Sequence, residues 1–333
     1  MTTVTTSLAL RTGQWLDSGG ILLEPDVLAE AQMLVEDGHA PSTRRMYTDG
    51  ARRFVDFCDE ANICALPAHP HAVTHFLGWM SLHAYALGTA KIHVSAINAL
   101  HAYAETPSPT RTWLVTQALR GYARKWGRQA RAAAALTAED LIAIHERFIA
   151  GSTSLRAARD WAVLETGFAG ALRRSELVAI DLENIAFQQN GYFLHLPYSK
   201  TDQFRFGEDL FIGRGVYKDT DPVGALEHWL HVSGITSGPV FRAIDPKGRL
   251  TDRPMGAVTV GSIVKRYVAR IGLDPAMFSA HSLRAGWITA AVEEGAPIEQ
   301  LRKHSRHRQY KNVLTYIRHR YGYVSNWSAF IGL

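Results

Sequence analysis

S-A-H-S-L-R-A-G-W (279–287) and N-V-L-T-Y-I-R (312–318) bracket the stretch around which this chain is organised. It holds His281 and Arg284 three residues apart, a second histidine at His307, and Tyr316 nine residues beyond that. From residue 300 to residue 333 there is no Asp or Glu, yet Arg302, Lys303, Arg306, Arg308, Lys311, Arg318 and Arg320 are all cationic. That excess of seven is larger than the net charge of the whole chain, +5. A tyrosine among arginines and histidines, with no carboxylate nearby, points to chemistry on a strongly anionic partner.

Outside this stretch the composition sets broad limits. A chain of 333 residues with 47% hydrophobic content is long enough for two domains with separate cores. Two cysteines, Cys58 and Cys64, make neither a disulfide framework nor a zinc quartet, and fit a reduced, cytosolic protein. The start, M-T-T-V-T-T-S-L-A-L-R-T-G, lacks the charged and apolar regions of a signal peptide, and no window approaches the roughly 18 apolar residues of a membrane span. The expectation is a cytoplasmic protein that has no membrane partner.

Along the chain, residues 1–22 are polar and rich in Gly, Ser and Thr, and read as a flexible tail. A first helix starts at Glu24-Pro25 and ends near Gly38. Ser42 reads as the N-cap of a second, whose apolar stripe is Tyr47, Ala51, Phe54 and Cys58, with Arg44 and Arg45 off that stripe. Periodicity predicts further helices over about 71–86, about 89–104 and from near Trp113 through Trp126. Residues 23–126 are therefore expected to form an all-helical domain. Arg120, Arg124, Lys125, Arg128 and Arg131 then occur with no acid among them, and residues 127–135 read as a basic linker able to lie along a phosphate backbone.

Residues 136–333 read as a second, mixed domain. Leu136-Thr137-Ala138-Glu139-Asp140 is a capped helix start. Trp161, Leu164, Phe168 and Leu172 mark a helical stripe. Tyr192–Pro197 and Asp209–Ile212 read as strands, joined by S-K-T-D-Q-F-R-F-G-E with Lys200 in it. The pattern is helical again from Pro222, and a cationic helix from Val264 to Arg270 carries Lys265. The fold class expected is mainly α with a small β-sheet.

Singly, each of these residues is commonplace. Together they resemble the tyrosine recombinase (phage integrase) family, over nearly the whole chain. A-L-R-R-S-E-L resembles the family's first arginine box, which implies that Arg173 is catalytic and Glu176 supports it. Y-S-K-T-D-Q resembles the segment holding the active-site lysine, Lys200. H-S-L-R resembles the His-x-x-Arg box, giving His281 and Arg284. R-H-R followed by T-Y-I-R resembles the third box and the nucleophile, giving His307 and Tyr316. The family often has Gly-His at that third box, whereas here Arg306 precedes His307; His304 is a rival at twelve residues from Tyr316 rather than nine. S-T-R-R-M-Y, F-V-D-F-C and V-S-A-I-N-A-L-H look like the family's helical core-binding domain. The layout is similar to Cre-like simple recombinases, with an all-helical core-binding domain followed by a mixed α/β catalytic domain.

The chemistry suits the residue types. Two guanidiniums, Arg173 and Arg284, would clamp the equatorial oxygens of a pentavalent phosphate bidentately. A cationic surrounding would favour the phenolate of Tyr316, and His281 would take its proton. Lys200 would protonate the leaving 5′ oxygen, and His307 would hydrogen-bond the phosphate. Glu176 would orient an arginine or a histidine. No cofactor and no metal are expected, and no G-x-x-x-x-G-K-[ST] nucleotide motif occurs.

The resemblance further implies double-stranded DNA with inverted-repeat half-sites as partner, a homodimer on each site, a homotetramer in synapsis, and a tail (323–333) that docks on a neighbouring protomer. Arg44, Arg45, Arg120, Arg124, Lys125, Arg128, Arg131 and Lys265 are the expected DNA contacts, in a clamp around the duplex. A type IB topoisomerase, with a similar site, and a DNA-binding protein that kept the fold without the reaction are the alternatives.

Overall fold

The computed structural model describes residue 38 and residues 40–127, 133–197, 207–307, 309–311, 313, 314 and 316. The expected tail over 1–22, the helix from Glu24, the turn with Lys200, Arg128, Arg131 and the segment 323–333 lie outside the described residues. The chain divides into two compact units, Met1–Ala130 and Arg131–Leu333.

In the first unit four α-helices are described: α1 (Pro41–Glu60), α2 (Pro70–Leu82), α3 (Leu87–Tyr103) and α4 (Trp113–Trp126). Ser42 is not the cap of α1. The helix begins at Pro41, with Ala40 as N-cap and no side-chain cap bond. Proline suits that first position because its missing N–H is one the helix could not pair anyway. On the predicted stripe Ala51, Phe54 and Cys58 are buried while Tyr47 is half-buried. Phe54 and Cys58 share a core with Val73, Phe76, Met80, Ile97 and Val115, with Phe54 and Phe76 edge to face at 5.4 Å. α2 stops before the predicted 86 because the backbone turns left-handed at Ala84 (φ 55°). Burial of each such side chain contributes about 1.5–3 kcal/mol. The buried ring of His101 ties the loop before α2 to α3: Nε2 accepts from the Ala68 N–H at 2.9 Å, and Nδ1 bonds the Ile97 carbonyl at 2.8 Å.

The second unit opens with α5 (Ala138–Ile144), closed at its start by the reciprocal Thr137–Asp140 capping box that the sequence shows. α6 (Leu155–Ala169) is its central helix, buried from Ala157 to Gly167. A short α7 (Arg174–Val178) leads to an antiparallel sheet of β1 (Ile185–Gln188), β2 (Gly191–Leu196) and β3 (Glu208–Gly213), in that order. Tyr192, Leu194 and Leu196 face the core from β2 while Phe193 and His195 face outward. After α8 (Pro222–Ser233) come the hairpin β4 (Arg242–Ile244) and β5 (Leu250–Pro254), then α9 (Ala257–Arg270), α10 (His281–Glu293) and α11 (Ile298–Ser305). Asp160 on α6, fully buried, accepts from Arg159 and from Arg266 of α9, each at 2.7 Å, so the two helices are pinned by an ion cluster. Breaking such a pair would strand a buried charge. The architecture is helical with small antiparallel sheets, the class read from the sequence. Among the described residues no helix is long and apolar enough to cross a membrane.

Candidate active site

The site starts from a close helix crossing. A Cβ on Gly286 of α10 would fall 1.9 Å from the Leu136 carbonyl oxygen, and one on Gly167 of α6 would fall 2.8 Å from Leu283. Gly286 thus lies against the backbone leading into α5, and Gly167 lies against a side chain of α10; only glycines allow both approaches. The approach sets the first turn of α10, with His281 and Arg284, beside the end of α6. There the predicted stripe breaks. α6 ends at Ala169, Ala171 turns left-handed (φ 45°), and Leu172 lies past the helix. The carbonyls of Ala169, Gly170 and Ala171 are left unpaired by the helix. They become acceptors for side chains arriving from far along the chain.

Those side chains carry most of the local charge. Arg284, 1% exposed, donates from Nη1 to the Ala171 carbonyl at 2.8 Å and from Nη2 to His307 Nδ1 at 3.3 Å. The same His307 nitrogen lies 2.7 Å from the Ser305 hydroxyl, so it is held between that hydroxyl and the guanidinium. Arg173, the N-cap of α7, donates through its guanidinium to Glu176 Oε1 and to the Arg306 carbonyl (3.1 Å). Glu176 Oε2 accepts from the Arg173 N–H at 2.9 Å and from the Arg306 guanidinium at 3.1 Å. Among the described residues its hydrogen-bond partners are arginines.

α11 ends at Ser305, and Arg306 follows in the left-handed region (φ 54°, ψ 43°). That turn brings His307 back toward α10. Ile288, Val292, Leu301 and Val313 form a separate small core against which Tyr316 packs. The Tyr316 hydroxyl lies 3.2 Å from His281 Nε2, and its ring centre 6.3 Å from that of His307. His304 faces elsewhere: it stacks on Trp287 at 3.9 Å and bonds the Ala169 carbonyl at 2.7 Å. The structure therefore brings Arg173, Glu176, His281, Arg284, His307 and Tyr316 together.

Burial, helped by Arg284 and Arg173, lowers the His281 pKa below its usual 6.5, so at neutral pH the ring is an uncharged acceptor. Burial and the same two arginines push His307 down to about 3. Arg284 is pushed down to about 9 by burial, Arg173 and Arg306, and is still cationic at neutral pH. Burial alone would raise Glu176, but Arg306 and Arg173 hold it below the ordinary carboxylate value. Tyr316 departs from the expectation. Burial raises its pKa, and Arg284 only partly offsets this. The cationic surroundings do not make a phenolate in the free protein.

Of the expected DNA contacts, Arg45 on α1, Arg120, Arg124 and Lys125 on α4, and Lys265 on α9 are exposed, and Arg44 is half-buried. Sequence reading missed Arg306 as a member of the site. The only signal was its departure from the usual Gly-His of the third box.

Comparison with known proteins bears on all of this. A model of the phage integrase family matches residues 135–322, more than half of the chain. The chain belongs to the phage integrase family. This family member is 31% identical over 291 residues to an integrase/recombinase xerD homolog of Selenomonas ruminantium, covering 86% of this chain and 84% of that one. It is 23% identical over 293 residues to the recombinase Cre of Escherichia phage P1, covering 83% of each. Among solved structures, the Tn1549 transposon integrase in complex with transposon right-end DNA has a TM-score of 0.59 at 14% identity, covering 90% of this chain and 96% of that one. A lambda integrase dimer bound to a core site has a TM-score of 0.58 at 16% identity, covering 86% and 91%. The last two are likenesses of fold.

Proposed function

We propose that this integrase-family protein is a site-specific DNA recombinase that cuts and rejoins strands through a 3′-phosphotyrosine on Tyr316. The observation that carries the reading is the 3.2 Å contact between the Tyr316 hydroxyl and a neutral His281, set beside two arginines. The recombinase names of the relatives that match most of the chain support strand exchange over simple nicking and sealing.

In this reading Arg173 and Arg284 hold the non-bridging oxygens of the scissile phosphate, and His307 hydrogen-bonds the phosphate beside them. As Tyr316 Oη attacks phosphorus, its proton passes to His281 Nε2. The P–O5′ bond breaks, and Lys200 supplies the proton that the departing oxygen needs. The new ester conserves the bond energy, so a 5′ hydroxyl from a second duplex displaces the tyrosine by the reverse steps without a nucleotide. Two such exchanges pass through a Holliday junction. Removing one preorganised guanidinium from such a site costs on the order of 3 kcal/mol of barrier. Residues 23–126 would act as the core-binding domain, 127–135 as a basic linker and 136–333 as the catalytic domain. Arg44, Arg45, Arg120, Arg124, Lys125, Arg128, Arg131 and Lys265 would add phosphate contacts. Inverted-repeat half-sites would seat one dimer per duplex, and two dimers would form the synaptic tetramer.

A nicked half-site duplex, drawn from an inverted repeat flanking the coding sequence, tests this. The protein should form a covalent 3′-linked adduct that survives denaturing electrophoresis, and Tyr316→Phe should bind the duplex but form none. An adduct of undiminished yield with Tyr316→Phe would refute the assignment.

A further inference from the structure

Arg306 stands where the backbone is least suited to it. At φ 54° and ψ 43° it occupies the left-handed region that closes α11, which glycine enters without penalty and arginine does not. Yet its side chain is 2% exposed and closely engaged. Nη1 donates to the carbonyls of His304 (2.7 Å) and Gly170 (3.2 Å). Nη2 donates to Gly170 (3.1 Å), to Ala171 (3.2 Å) and to Glu176 Oε2 (3.1 Å). A single guanidinium thus joins the end of α6, the first turn of α7 and the end of α11.

We infer that Arg306 is a positioning residue for Arg173. The inference rests on the phosphoryl-transfer reading above. Two acceptors fix the Arg173 guanidinium, and both depend on Arg306. One is Glu176, whose other oxygen Arg306 holds. The second is the carbonyl of Arg306 itself, aimed at Arg173 Nη2 (3.1 Å) by the left-handed turn. The Arg173 side chain is 20% exposed, able to meet a phosphate, whereas Arg306 is too deeply enclosed to do so. Arg306 therefore acts through its neighbour. It also shares the Ala171 carbonyl with Arg284. One turn at the end of α6 consequently sets both guanidiniums relative to each other. Glycine at 306 would keep the turn and its carbonyl but lose the strut that holds Glu176.

The test uses the full chain and the nicked half-site duplex. Arg306→Gly and Arg306→Lys are compared with the parent for thermal melting, duplex binding by gel retardation, and single-turnover adduct formation. Glycine is at ease in this backbone, so Arg306→Gly should stay folded. It should bind the duplex within about twofold of the parent and form adduct about 100-fold more slowly, the scale of a misplaced contact. Arg306→Lys keeps a cation beside Glu176 without the fork across the carbonyls. It should recover at least about tenfold of that loss while staying below the parent.

Adduct formation by Arg306→Gly within about threefold of the parent would overturn the inference. So would a parallel fall in binding and cleavage, which marks a general loss of structure. Should Arg306→Gly fail to fold, Arg306→Lys decides alone: parental cleavage overturns the inference, and slowed cleavage with intact binding upholds it. A parent that forms no adduct sinks the phosphoryl-transfer reading, and this inference with it. With an active parent the variants report on Arg306 alone.

Discussion

Tyr316 and His281 divide one proton between two groups that the protein pulls in opposite directions. Burial raises the phenol and lowers the imidazole, so in the free protein the proton stays on Tyr316 and His281 is empty-handed. In the proposed reaction attack needs His281 neutral, and its pKa lies below 6.5. Single-turnover adduct formation should therefore rise with pH to a midpoint below 6.5 and then stay level through neutral pH. An ascending limb centred above pH 7 would show that some other group takes the proton. The same residue scale explains what could be read from the chain. His281, Arg284, His307 and Tyr316 are legible because their spacing matches a family pattern. The choice between His307 and His304 is geometric: residue 306 turns left-handed, and only the residue after that turn faces Arg284. Arg306 itself is illegible for the same reason, since the sign of a φ angle and the direction of the freed carbonyls are tertiary outcomes.

At the scale of elements, the crossing of α6 and α10 is the frame for both arginines. On its other side α10 meets the segment leading into α5: a Cβ added at Gly286 would fall 1.9 Å from the Leu136 carbonyl oxygen, so no rotamer change in a neighbour would relieve a larger residue. Gly286→Ala should cost about 3 kcal/mol or more in chemical denaturation, at or beyond the upper end of ordinary overpacking. It should also slow adduct formation in whatever fraction stays folded, because Arg284 rides on the same turn. A denaturation midpoint unchanged from the parent would show that the contact with Leu136 has slack. Periodicity located most elements but misplaced their ends. α2 stops at a left-handed alanine, α6 stops three residues short of Leu172, and α1 starts on a proline rather than a serine cap. Apolar spacing carries no information on such breaks.

For the whole molecule, the stability of the second unit carries a titration unrelated to the site. Glu165 on α6 is buried, and burial with the nearby Asp221 pushes its pKa from 4.5 up to about 8. The unfolded chain releases that proton near 4.5 while the folded chain keeps it to about pH 8. Between those values the folded state binds more protons, so this group's contribution to stability falls as pH rises and is level outside the window. Glu165→Gln should flatten the melting temperature across that range relative to the parent. Parallel pH profiles for the two proteins would show that Glu165 is ionised in the fold. Nothing in the linear sequence marks Glu165, which sits among helix residues that read as amphipathic surface until α6 proves central. A division into two domains, by contrast, is read from chain length and from the basic stretch between residues 120 and 131.

The order in which the chain supplies its reactive groups has a consequence for the cell that makes it. Arg173 comes early in the second unit, and Tyr316 follows about 140 residues later, on the order of ten seconds of synthesis at ordinary rates. Until then a ribosome-bound chain has the whole first unit and Arg173, and later Arg284, while the small core around Val313 is still incomplete. On the proposed mechanism, such a chain could bind a chromosome before it had the tyrosine with which to cut it.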